Sequence, residues 1–141
     1  MQIPGISFFE RNASIAPLFI RLIIGFHLIY GTQDNVLSWA QMLEFRDFLA
    51  TRGVPYPLFA AHLSVYAQLI CGALFIAGFA TRPAGAVMVI NFVAALLIAH
   101  RGDSYPGMFP ALMMLAAACF FLFHGAGAHS VDDWLARRGN P

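Results

Sequence analysis

Four long apolar runs, at residues 13–31, 56–80, 83–100 and 108–124, constrain this chain more than any other feature. A helix rises 1.5 Å per residue, so roughly 17 to 25 apolar residues cross a hydrocarbon core of about 30 Å. The first three runs fit that length. The fourth is shorter and is expected to use the small residues at 125–128 to finish. Composition agrees: 60% of the 141 residues are hydrophobic and 11% are charged, where a soluble domain carries roughly 25% charge. Too few charges remain to solvate a surface in water. The expected fold is all-α, a single domain over 1–141 built as a four-transmembrane-helix antiparallel bundle.

Several function classes drop out at once. The net charge is +1 and no lysine is present, so a nucleic-acid footprint is absent. Cys71 and Cys119 stand far apart with no CxxC pair, and they read as inert thiols in an apolar setting. No phosphate loop and no nucleophile with a base at motif spacing occurs, so autonomous catalysis is not expected. The first run is read as a retained span rather than a signal peptide. Glu10 precedes it, and no small-x-small cleavage site comes before Gln33.

The breaks between runs set the topology. Thr81-Arg82-Pro83 reads as a tight polar turn, with Pro83 at the first helical position of span three. Residues 101–107, rich in Gly and Pro, form the next turn. Short links make spans two, three and four antiparallel neighbours. The first link is longer. Ser38 followed by Gln41 resembles a capping box, and Trp39, Met42, Leu43, Phe45, Phe48 and Leu49 mix with Glu44, Arg46, Asp47 and Arg52. This pattern predicts a short amphipathic helix over about 36–51, lying at the membrane interface. Four spans put both termini on one side with Arg11, Arg82, Arg137 and Arg138, against Arg46, Arg52 and Arg101 opposite. The positive-inside rule then favours cytoplasmic termini.

Ionisable groups at membrane depth mark candidate functional positions. Arg21, roughly 10 Å into span one by helical rise, either snorkels to headgroups or anchors the bundle from inside. His27 is placed near the opposite membrane face, and His62 and His100 are expected toward that same face. A haem or metal ion is disfavoured, because no fixed ligand spacing joins the three histidines. Ser64, Gln68, Cys71 and Gly72 share one face of span two by their spacing. Gln68 and Asn91 are expected to glue helices together or to line an intrabundle cavity with His27. Gln33 and Asp34 lie where span one is expected to leave lipid, with Asp34 either capping the next segment or placing a carboxylate at the bundle mouth.

The same residues resemble the DoxX-like family over roughly 15–135. The likeness rests on Arg21, Gly25 and the Tyr30-Gly31-Thr32-Gln33 exit of span one, then on Gly53-Val54-Pro55. It continues through Gly72, Gly78 and Thr81-Arg82 to the closing Gly125-Ala126-Gly127-Ala128-His129-Ser130-Val131-Asp132. Two positions depart from the family pattern. Asp34 stands where the family usually has lysine, and Gln68 where it often has glutamate, which puts a proton-linked role at that acid in doubt. The resemblance implies a small multi-pass protein of the bacterial cytoplasmic membrane. The family's namesake is a subunit linked to quinone-coupled thiosulfate oxidation, so a membrane redox partner and a quinone are implied candidates. Three functional expectations therefore stand. One is an accessory protein of a redox system without catalysis of its own. The second is a binding or transport module for a lipophilic small molecule, with ligand contacts at His27, Gln33, Asp34, His62, Gln68, Asn91 and His100. The third is a purely structural membrane protein whose polar residues hold its helices together. A homo-oligomer is left open.

Overall fold

A computed structural model describes residues 6–139. The chain forms α1 (Ile6–Arg11), a single 3-10 turn (Ala13–Ile15), α2 (Ala16–Leu37), α3 (Trp39–Thr51), α4 (Pro57–Ala77), α5 (Thr81–Ile98), α6 (Tyr105–His124) and α7 (Val131–Gly139). No strand occurs among the described residues. Four helices, α2 with its preceding turn, α4, α5 and α6, are long and apolar enough to cross a membrane. The all-α four-helix bundle expected from the apolar runs is the observed fold.

The bundle is assembled as two close pairs, α2 with α4 and α5 with α6. Glycines set both distances. A Cβ on Gly25 would lie 2.6 Å from the Gly72 carbonyl oxygen, and a Cβ on Gly72 would lie 2.9 Å from that of Gly25. In the second pair a Cβ on Gly85 would meet the Leu122 backbone nitrogen at 2.8 Å. Small residues at helix crossings are what lipid-embedded helices require, because packing rather than hydrophobic transfer holds them together. Phe75 of α4 and Phe121 of α6, both fully buried with ring centroids 4.5 Å apart, join the pairs. Leu28, Cys71, Met88, Phe92 and Met114 fill the core around them.

The helix expected between spans one and two is present as α3. The Ser38 hydroxyl accepts a hydrogen bond from the Gln41 backbone N–H at 3.4 Å, as the capping pattern anticipated. Its apolar side, Met42 and Leu49, is seated on Ala61 and Val65 of α4.

Several boundaries differ from expectation. Span one does not end at Gly31; α2 runs on to Leu37, so Gly31 through Asn35 are helical. The Thr32 hydroxyl bonds back to the Leu28 carbonyl at 2.8 Å, inside the helix. The polar residues mark where apolar surface stops, not where the backbone ladder stops. Asp34 therefore caps nothing with its side chain, and Ser38 performs that role for α3. Span three begins at Thr81, which puts Pro83 third in α5 rather than first. Its missing N–H still falls in the first turn, where helical donors have no partner. The fourth span gains its length at the other end, starting at Tyr105 with Pro106 in its first turn. Residues 125–128 lie outside it, because Gly125 takes φ 83° and ψ −160° and the chain leaves the helix there.

Candidate functional site

The two helix pairs meet less closely where α4 faces α5. A cleft of about 330 Å³ opens there beneath α3. Alanines 60, 67, 94, 95 and 99 thin its walls, Val87 and Ile98 lie along α5, and Phe45, Leu49 and Val54 close the end nearest α3. No ionisable side chain is among its lining residues. Leu63 and Ile90 flank it and are 61% and 72% exposed, so it opens sideways toward lipid.

Two polar side chains, Ser64 and Asn91, interrupt the apolar lining, and Gln68 bonds to Ser64 from outside it. Gln68 Nε2 donates to Ser64 Oγ at 3.2 Å, and Ser64 Oγ donates to Asn91 Oδ1 at 2.8 Å. Helical spacing explains the arrangement. Ser64 and Gln68 are four apart on α4 and share a face, and α5 presents Asn91 opposite Ser64. The result ties α4 to α5 through side chains across the cleft floor.

The other expected site residues are not gathered there. Arg21, Gly25, Leu28 and Thr32 form the buried stripe of α2, so His27, one residue from Leu28, is turned outward and exposed. The expected cavity of His27 with Gln68 and Asn91 is thus corrected: Asn91 lines the cleft, Gln68 is joined to it only through Ser64, and His27 faces away. Gln33 is half-buried and Asp34 exposed, both in the last turns of α2. His62 bonds through Nδ1 to the Leu58 carbonyl at 2.8 Å and lies between Trp39 and Tyr66, with ring centroids 5.8 and 6.1 Å away. His100 Nδ1 pairs with Asp103 Oδ2 at 2.9 Å in the α5–α6 turn. Among the described residues no three His, Cys, Asp or Glu side chains stand close enough to share a metal ion.

A second polar cluster lies at the other membrane face. Arg21 is 1% exposed, and its guanidinium donates to the carbonyls of Ala126 at 3.1 Å and His129 at 3.0 Å. Gly78, with φ 67°, lets that guanidinium pass; a Cβ there would collide with it. The Asp132 carboxylate accepts from the backbone N–H groups of Ala80 at 2.8 Å and Thr81 at 3.0 Å, and so caps α5 from 51 residues away. The Asp132 N–H in turn donates to the Gly78 carbonyl at 2.9 Å. Ser130 closes the loop by donating to the Gly127 carbonyl at 2.7 Å and accepting from the Asp133 N–H at 3.1 Å. This clasp gives Arg21 its inward anchoring role. Asp132 and Ser130 had been visible only as part of a motif. Asp132 and Asp133 in the first turn of α7, with Arg137 and Arg138 in its last, are the signals that mark that helix.

Comparison with known proteins bears on the whole arrangement. The DoxX family profile matches residues 16–101, covering α2 through the end of α5 and hence every residue of the cleft floor. The chain belongs to the DoxX family. The inner membrane protein YphA of Escherichia coli is 28% identical over 129 residues, 85% of each chain. An uncharacterized membrane protein of Mycobacterium tuberculosis, Rv3486, is 29% identical over 100 residues. That alignment covers 61% of each chain, so this chain spans less than two thirds of that relative's length. No solved structure gives a significant match.

Proposed function

We propose that this DoxX-family membrane protein holds a lipophilic small molecule in the α4–α5 cleft and catalyses no reaction on it alone. The observation that carries the reading is the lining. It is an apolar cleft of about 330 Å³, open to lipid at its side, with the hydrogen-bonded pair Ser64 and Asn91 in its lining. Ligand sites in proteins are typically concave and mostly apolar, with a few placed polar groups that fix orientation. A module of this kind serves a catalytic partner, and the redox-linked role of the family's namesake names the class of partner to look for.

The test fills the cleft. Ala94 is exposed and lines it, so Ala94→Phe adds bulk without overpacking the core. Native mass spectrometry of gently solubilised wild-type protein should show a retained lipophile, identified by organic extraction. The variant should lose most of that adduct while keeping its helical content. A wild-type protein that is reproducibly apo, or a variant that retains the adduct in full, would refute the reading.

The same proposal places the protein in the cytoplasmic membrane with its termini inside. The clasp and the Ser14–Ala128 backbone bond of 3.0 Å group Arg11, Arg82, Arg137 and Arg138 at one end. Arg52 and Arg101, joined by a 3.1 Å bond, mark the other. A periplasm-dependent phosphatase fused to the C-terminus should stay inactive in cells; activity would reverse the orientation.

A further inference from the structure

We infer that the cleft recognises the carbonyl oxygen of an uncharged lipophile, with the side-chain amide of Asn91 as the donor; this rests on the cleft being a ligand site. The direction of the polar chain supplies the argument. Ser64 has one proton and gives it to Asn91 Oδ1, while accepting from Gln68 Nε2. Asn91 is thereby fixed with its oxygen occupied. Its Nδ2 carries two N–H groups, and among the described residues nothing accepts from them. An amide nitrogen offers donors and no acceptor, so the group that completes it must be an acceptor.

Depth and charge narrow the class. Asn91 lies ten residues into α5, roughly 15 Å along a helix that starts at one membrane face, and so near the middle of a hydrocarbon core of about 30 Å. No water is available there, and an unsatisfied donor is costly. The glycerol ester carbonyls of a phospholipid are held at the edge of that core by their headgroup, about 15 Å from its middle. A carbonyl that reaches Asn91 belongs to a molecule with no charged headgroup. The absence of any ionisable lining residue agrees, since a charged end would enter with nothing to compensate it. From Val87 to Ala99 the cleft wall runs roughly 18 Å along α5, long enough for an extended tail. Phe45 and Leu49 block the α3 end, so the molecule enters through the side flanked by Leu63 and Ile90. The shared chemistry is therefore a neutral carbonyl-bearing lipophile, either an acyl ester or a ring ketone.

The experiment titrates protein in detergent micelles, labelled with 15N at asparagine side chains and 13C at alanine methyls. The three probes are methyl hexadecanoate, a decyl-substituted cyclohexanone and n-heptadecane. The Ala94 and Ala95 methyls report occupancy, and the Asn91 amide reports the hydrogen bond. At least one carbonyl probe should shift the Asn91 amide and bind about five- to tenfold tighter than heptadecane, the worth of one net hydrogen bond. Whether ester, ketone or both do so identifies the source. Asn91→Leu should still bind heptadecane but lose the preference for a carbonyl probe over it. If all three probes move the alanine methyls equally and the Asn91 amide stays still, the carbonyl inference is wrong and the cleft reading survives. A preference that persists in Asn91→Leu refutes it as well. If no probe moves the methyls, both readings fail.

Discussion

Asp132 should be the most consequential single carboxylate in the protein, although it lies outside the spans. Its two oxygens accept the N–H groups of Ala80 and Thr81 at 2.8 and 3.0 Å. Hydrogen bonds to a charged group contribute about 1.5–3 kcal/mol each, so two give about 3–6 kcal/mol. Ala80 is held in the left-handed region at φ 48°. Releasing it returns about 1–2 kcal/mol, and water entering the half-buried site recovers part of the rest. Asp132→Ala should therefore cost about 2–4 kcal/mol. Asp132→Asn, which keeps one acceptor oxygen, should cost roughly half of that. Unfolding of the detergent-solubilised protein in a denaturing-detergent titration, followed by circular dichroism, measures both. Amide exchange at Ala80 and Thr81 should accelerate at least tenfold in the alanine variant, by about 1.4 kcal/mol per decade. An Asp132→Ala protein within about 0.5 kcal/mol of wild type, the ordinary range for surface changes, would refute the tertiary cap.

The glycines make a paired prediction. Gly25→Ala drives a methyl to 2.6 Å from the Gly72 carbonyl oxygen, whereas Gly31, in the same helix, has nothing within 4 Å of its absent Cβ. Gly25→Ala should destabilise by about 1–3 kcal/mol through overpacking. Gly31→Ala should stabilise by about 0.5–1 kcal/mol through helix propensity, and the same denaturation assay reads both. Equal effects at the two sites would contradict the close α2–α4 approach.

The spans and α3 were legible because their signals are local. Apolar length reports bilayer crossing directly, and Ser38 three residues before Gln41 reports a helix start. The polar face of α4 was legible for the same reason, since Ser64 and Gln68 sit at helical spacing. What could not be read was anything decided by a distant partner. His27 and Leu28 are adjacent, and which of them turns inward is set by the contact of Gly25 with Gly72. Periodicity alone left that rotation open, so His27 was placed in the cavity. The start of α5 depends on Asp132, and neither Thr81 nor Pro83 carries a local sign of that cap. The end of α2 misled for another reason. Gly31 to Asn35 record a change of solvent, which in a soluble protein often coincides with a helix end and here does not.

The Arg21 clasp also constrains how the protein is made. Its guanidinium bonds carbonyls 105 and 108 residues further along the chain. At about 5–20 residues per second, those carbonyls are synthesised roughly 5–20 s after Arg21. Throughout that interval the first span sits in the bilayer or its insertion machinery with a cation whose final partners do not yet exist. Span one can take its place only after the last helix has crossed and the chain has turned back on itself. Arg21 thus makes correct assembly conditional on the segment that follows the last span, and a nascent chain stalled before Ala126 carries an unclasped charge.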